Sequence, residues 1–421
     1  MTSLRTTDAT ESRQIDDAER REPPLIGILC DALAYARERE YTGWDYGDGM
    51  SSRILQSIPV DNRWLNLAFQ ETIKRSPINV RPLFLVEQRR NYKGGALFAM
   101  ANLNAHQLTH EIDYGGADDV DYRREAHDLL DWLVAERCRG YSGFCGGHRH
   151  EIQHLHTKGV PNDPDVVSTS FAVEALLRGS ALDPSYAERA RAAVPFLENE
   201  LHYREVDGGA QIDYHLNHPS DSYTINAGAL GARLLIDLYD HFGEESYRGR
   251  ATKLLDYIAN IQQPIGGWTY RHPPSASHLS MDNHHNGFVI ECFLRYREVT
   301  GSDRYDETIA DAVTFYREVL FEPNGAPNWD EESAYPKDIH ACAQGILVFT
   351  YAGDLAFAER ILEWTLEHLY AGDGHFHYRK HRYYTRRITL MRWCQAWMAF
   401  AISEYLAAVR DTSATQTAVA E

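Results

Sequence analysis

Five stretches of this chain share one plan, a polar doorway followed by an apolar run rich in Ala and Leu. They begin at Val166, Tyr223, Met281, Asp338 and Arg392, at spacings of 57, 58, 57 and 54 residues. A period of that length constrains the fold more than any single element does, because each repeat must bury its apolar face against its neighbours. The runs are VVSTSFAVEALLRG, YTINAGALGARLLIDLYDHFG, MDNHHNGFVIECFLRYREVTG, DIHACAQGILVFTYAGD and RWCQAWMAFAISEYL. All but the last are followed by a second segment with apolar residues at helical spacing, such as YRGRATKLLDYIANIQ. A Gly-rich turn and a short aromatic, strand-like piece then lead to the next doorway, as in GGAQIDYHL, GGWTYRH and GHFHYRKH.

Upstream, residues 93–108 and 122–137 make a further helical pair without a matching doorway, and residues 25–39 are free to pair with the lone terminal run. Six hairpins of this kind close into a ring with first helices inside and second helices outside. The expected fold is an all-α (α/α)6 toroid with short β pieces in the loops at one mouth. One domain over 23–408 is expected, flanked by unstructured tails at 1–22 and 409–421.

The doorways fall at the same end of the inner helices, so their loops converge on a cleft. The loops carry HRHEIQHLH, YHLNHPSDSYTIN, YRHPPSASHLSMDNHHN, WDEESAYPKDIH and YRKHRYYTRRITLMRW. Aromatic faces that stack on sugar rings, with forked donors and carboxylates for hydroxyl and acid groups, make a carbohydrate-type lining. Asp165, Tyr214, Trp268 and Tyr270 are candidate substrate contacts from the earlier loops, and His340, Tyr383, Arg387, Arg392 and Trp393 from the later ones. The last loop places seven basic residues within fourteen positions of an acidic chain, which implies an anionic substrate. Arg392 is expected to face the cavity and to pair with a substrate carboxylate or a doorway Asp.

Two catalytic programmes suit such a mouth. Glycoside hydrolysis needs a carboxyl pair, for which Asp165, Asp282, Asp330, Glu332 and Asp338 are candidates. Proton transfer at the carbon beside a carboxylate needs a base near neutrality and a cation, and the wealth of His, Tyr and Arg favours it. The set chosen is Asp282, His285 and Tyr384, with Asp338 as the second carboxylate of the hydrolytic alternative. Asp282 is also a natural helix N-cap, and Glu291 reads as buried packing or an acceptor behind the site. The groups His148, His150, His154, His156 and His272, His278, His284, His285 allow a metal reading, but Gly and Pro around them favour a histidine-lined cleft with no metal. No cofactor is implied. QPIGGWTY is reminiscent of terpene cyclase repeats, yet the acidic cluster such enzymes need is missing. Glycan binding without catalysis is a third reading.

With 42 Lys and Arg against 61 Asp and Glu, the net charge of −19 argues against nucleic acid or an anionic membrane as a partner, and suits a high-salt, haloarchaeal cytoplasm. No apolar stretch reaches the roughly 20 residues a bilayer span needs, and the polar start lacks a signal-peptide core, so the chain reads as cytoplasmic. The six cysteines form no CxxC pair and read as reduced thiols, with only Cys145 in a polar loop.

YTGWDYGDGMSSRIL, SPINVRPL, NYKGGALFAMA, MDNHHNGF and HRYYTRRITLMRWCQAWM resemble the AglQ-like family of helical-toroid proteins from polysaccharide and N-glycan assembly clusters, over about residues 25 to 405. That family is distantly similar to unsaturated glucuronyl hydrolases and to the helical domain of glucuronyl C5-epimerases. The resemblance implies an (α/α)6 fold and the processing of a hexuronic acid in a lipid-linked or protein-linked glycan, with epimerisation at C5 as the favoured chemistry. It adds Asp45, Asp48 and Arg81 to the substrate-binding set. His285 is the residue that matches the family's doorway histidine.

Overall fold

The computed structural model describes residues 25–111, 120–153, 158–217 and 221–420. The expected tail at 1–22, and His154 and His156, lie outside these residues. Helices are α1 (Leu25–Arg37), α2 (Arg53–Gln56), α3 (Arg63–Arg75), α4 (Tyr92–Glu111), α5 (Tyr122–Ala135), α6 (Val166–Arg178), α7 (Ser185–Arg191) and α8 (Val194–Asn199). They continue with α9 (Ile225–Phe242), α10 (Glu245–Asn260), α11 (Asn283–Thr300), α12 (Asp306–Val319), α13 (Ile339–Tyr351), α14 (Leu355–Leu369) and α15 (Trp397–Ala420). The last of these runs on through most of the 409–421 segment expected to be an unstructured tail.

Helices α4, α6, α9, α11, α13 and α15 pack side by side in that order, and α15 returns to α4, closing an inner ring of six. Each leans on an outer partner: α5, α7, α10, α12 and α14 for the first five, and α1 for α15. The molecule is an (α/α)6 toroid. Burial explains the division. In α13 every residue from Ile339 to Thr350 is buried, as suits a helix touched on all sides, whereas α12 buries only Ile309, Ala312, Phe315 and Tyr316 along one stripe.

The recurrent glycine turns have one shared cause. A Cβ on Gly209, Gly266, Gly325 or Gly374 would lie 2.3–2.5 Å from the carbonyl oxygen of Lys253, Asp311, Arg360 or Asp31, respectively. Each turn therefore presses on the outer helix of the next hairpin, and the Gly374 contact with α1 closes the circle. All four have positive φ as well, so no other residue fits without strain.

The strands are two or three residues long, and some tie loops of successive hairpins together, as where 223–224 pairs with 271–272 and 337–338 with 379–380. Below the mouth, polar side chains knit the six inner helices into a girdle. Arg233 on α9 bridges Glu174 on α6 and Glu291 on α11, and Glu291 accepts from Gln344 on α13. Glu404 on α15 accepts from Arg178, from Tyr351 and from Asn104 on α4. The girdle borders a cavity of about 760 Å³ at the C-terminal ends of the inner helices, the end away from the doorways. No helix among the described residues is long and apolar enough to cross a membrane.

Candidate functional site

Every inner helix begins at the same mouth. Asp165, Asp282 and Asp338 are the N-caps of α6, α11 and α13, each accepting from a backbone N–H of the first turn. The last inner helix starts differently, with a π-helical turn over Met391–Ala396 that carries Arg392 and Trp393. Turns of this type widen the helix and occur often at functional sites.

Asp282 does more than cap. Its carboxylate oxygens lie 2.8 and 2.9 Å from Nδ1 of His285, and one of them lies 3.1 Å from Nδ1 of His284. Burial would raise the Asp282 pKa, but the two imidazoles outweigh it and hold the carboxyl at about 2. The carboxylate thus fixes the proton of His285 on Nδ1 and leaves Nε2 as the basic nitrogen. The His285 ring is half-buried and sits 4.5 Å from the ring of Tyr270. Burial drives the Tyr270 hydroxyl up to about 12.

Towards the axis, the ring of His284 lies 4.0 Å from His285 and 4.8 Å from His340 of the neighbouring helix. His340 stacks on Trp397 at 4.5 Å and meets Trp393 edge-on at 4.6 Å. It is only 1% exposed, and neither of its nitrogens has a hydrogen-bond partner among the described residues. Burial, then the neighbouring imidazoles, push both His284 and His340 well below the ordinary imidazole value. Phe171, Phe288 and Trp397 complete an aromatic floor.

Lys93 rises from the first turn of α4 at the centre of that floor, its Nζ 5.6, 5.7 and 5.6 Å from the centroids of Phe171, Phe288 and Trp397. It is the residue that sequence reasoning missed. The α4 hairpin has no doorway of Asp and His, and a single Lys before two glycines carries no pattern. Its position as the counterpart of the doorway residues in the other repeats is the signal that could have found it.

The expected arginines are present but already matched. Arg392 Nε donates to Asp45 at 2.8 Å, and Asn91 donates to the same oxygen at 2.7 Å. Burial raises the Asp45 carboxyl, yet Arg392 overcomes this and leaves it lowered. Asp48 and Arg81 form a fully buried pair, both carboxylate oxygens 2.9 Å from Nε, which makes them an internal brace rather than a surface offered to a ligand. Asp338 accepts from the backbone of His340, from Trp393 Nε1 at 2.8 Å and from Arg379. Tyr214 is partly buried beside α6, its backbone oxygen accepting from Val166.

Other expected contacts lie elsewhere. Trp268 is 2% exposed, stacks on Phe293 and donates to Ile258 O, because its Gly-Gly turn folds the indole into the wall. Tyr383 and Tyr384 are 86% and 48% exposed at the tip of the 379–386 hairpin, and Tyr384 stacks on His381 rather than meeting His285. Arg387 points to solvent. Cys145, read as a polar-loop thiol, is buried, as are all the other cysteines except the partly buried Cys30, and all six are free.

Asp282, His284 and His285 bring three donor atoms within 4.8 Å of one another and are the set among the described residues that could hold a metal ion. Both Nδ1 atoms already face the carboxylate, so an ion would have to displace both contacts. Arranged this way, the trio is an imidazole pair oriented by an acid. His150 is engaged by Ser51 Oγ at 2.7 Å, and His278 packs against Tyr270.

Three buried imidazoles make a prediction about acid. Burial lowers His150 to about 4 and sets His284 and His340 below their ordinary value, so the folded state refuses protons that the unfolded chain accepts below about 6.5. Stability should be complete above pH 6.5 and fall as the pH drops from 6.5 towards 4, by up to about 1.4 kcal/mol per pH unit for each histidine. The Asp282 contribution is lost only lower, as the pH falls from about 4 through about 2. Urea midpoints between pH 7.5 and 4.5 measure this; a flat midpoint down to pH 5 would contradict it.

No protein-family model and no curated protein matches the sequence. Solved structures do match. A sugar epimerase from a ruminal bacterium superposes with a TM-score of 0.57 at 15% identity, over 76% of this chain and 87% of that one. The cellobiose 2-epimerase of Bacillus thermoamylovorans gives 0.58 at 14%, over 76% and 88%. A family 76 glycoside hydrolase, a mannosidase of Bacteroides thetaiotaomicron, gives 0.59 at 13%, over 92% and 99%. At these identities the likeness is one of fold, and it agrees with the toroid.

Proposed function

We propose that the chain is a carbohydrate epimerase or isomerase working by proton transfer, and that its reaction is at C5 of a hexuronic acid within a lipid-linked or protein-linked glycan in the cytoplasm. The observation that carries this reading is the Asp282–His285 pair, a base with its tautomer fixed at the mouth of an aromatic-floored toroid. His285 Nε2 takes the proton beside the sugar carboxylate, the charge passes into that carboxylate, and a second group returns the proton from the other face of the ring. Tyr384, at its exposed hairpin tip and stacked on His381, does not face His285 and so does not fill that second role. Sugar epimerases among the structural neighbours lend support.

Hydrolysis fits the same fold but not these carboxylates. A general acid needs a carboxyl with a raised pKa and a free oxygen. Asp45 and Asp282 are lowered, Asp338 accepts three donors, and Asp165 accepts from Ser168 N and Oγ. Asp48 is raised, but it is sealed against Arg81. Incubation with a uronic-acid glycan in deuterated water separates the readings. Deuterium at C5 without bond cleavage is expected; cleavage without exchange means hydrolysis, and tight binding with neither means a non-catalytic glycan binder.

A further inference from the structure

Resting on that proton-transfer reading, we infer that Lys93 is the residue that receives the substrate's carboxylate and selects acidic over neutral sugars. Arg392 is held by Asp45, Arg379 by Asp338 and Arg81 by Asp48, so each of these charges already faces a carboxylate. Lys93 alone stands on the aromatic floor, and no carboxylate lies within ion-pair distance of it among the described residues. Its side chain is partly accessible, so a ligand entering at the mouth reaches it.

The groups that face it come from every neighbouring element. Arg392 on the π turn, His284 on α11 and His340 on α13 oppose its charge, while Asp165 at the start of α6 and Asp45 in the first loop favour it. Both carboxylates are occupied, Asp45 by Arg392 and Asn91, and Asp165 by Ser168. Burial is the largest influence, followed by Arg392, and together they bring the ammonium down to about 7. The site therefore keeps an amine that is only partly protonated at neutral pH when empty, and a carboxylate that arrives draws it to the charged form.

Two consequences follow from linkage. Above pH 7, binding an acidic sugar takes up a proton, and its affinity falls about tenfold per pH unit until the value of the bound lysine is reached. A neutral sugar shows neither effect. In the reaction, the same ammonium faces the carboxylate as it collects the charge released at C5, so it contributes to turnover as well as to binding.

Titration calorimetry with glucuronate and with glucose tests this, run at pH 6.5 and 8 in two buffers of different ionisation enthalpy, with solvent deuterium exchange followed in parallel. The wild type should favour glucuronate by on the order of ten- to a hundredfold and take up a proton at pH 8. Lys93→Met should abolish both the preference and the uptake. Lys93→Arg should keep the preference without the uptake, since a guanidinium is already charged, and it serves equally if the methionine variant does not fold. A preference undiminished in Lys93→Met, or glucuronate binding with no proton uptake at pH 8, overturns the inference. Exchange into glucuronate that survives undiminished in Lys93→Met leaves the proton-transfer reading intact and removes the role of Lys93. Proton uptake that depends on Lys93, with no exchange into any sugar, does the reverse.

Discussion

Replacing Arg233 by methionine should cost about 3 to 5 kcal/mol of folding stability, the usual penalty for removing one member of a buried ionic network. Arg233 is buried among three carboxylates, with Glu174 at 2.8 Å, Asp237 at 3.7 Å and Glu291 in direct contact. Methionine leaves those acids together in a low-dielectric layer between α6, α9 and α11. Burial already raises the Glu174 carboxyl despite two arginines, so without Arg233 it is pushed up further. The loss should therefore be largest at pH 8 and smaller at pH 5.5, a trend opposite to that set by the buried histidines. Urea unfolding of wild type and variant at both values measures it. A penalty below about 1 kcal/mol at pH 8 would mean that the girdle is not what closes the ring behind the site.

The toroid was legible because its inner helices are apolar on all sides and begin with a cap at a constant interval. Asp165, Asp282 and Asp338 recur at that interval as N-caps, and all three open on one face as expected. Glu291, read as packing or as an acceptor behind the site, is the buried partner of Arg233 and Gln344. The pairing of α1 with α15 was likewise visible as two unmatched helical runs. What sequence could not give was which charges meet. Asp45 and Arg392 are 347 residues apart, and only ring closure brings the first loop against the last helix. Residue type alone left the partner of Arg392 open between a substrate carboxylate and a doorway Asp and singled out nothing at Lys93, when the fold pairs the first with Asp45 and sets the second over aromatic rings with no carboxylate at ion-pair distance among the described residues. Trp268 and Tyr384 misled for a related reason. Aromatic loop residues share one composition whether they line a cleft, seal a wall or tip a hairpin, and backbone geometry decides among these. Residues 44–90, with α2 and α3, showed no period and yielded no element in advance, although α3 packs against the mouth through Asn66 and Gln70.

Asp282→Asn separates capping from chemistry. Asparagine caps a helix about as well as aspartate, so the start of α11 should survive, and the stability lost should be on the order of the 2 kcal/mol that the carboxylate gains from its two imidazoles. The effect on His285 is another matter. The carboxylate accepts the Nδ1 proton, whereas an amide is free to turn its NH2 towards Nδ1 and drive the proton onto Nε2, where the base must act. Loss of the favoured tautomer and of the charge that steadies the imidazolium should lower C5 deuterium exchange by about 10² to 10⁴. His285→Gln should fall as far, and the double variant little further, because both remove the same unit. Since the wild-type carboxyl is held at about 2, Asp282 stays ionised throughout any practical assay, and the wild-type pH profile will not carry its titration. Exchange in Asp282→Asn within about threefold of wild type, with the helix intact, would show that the carboxylate is a cap alone and that the base lies elsewhere in the mouth.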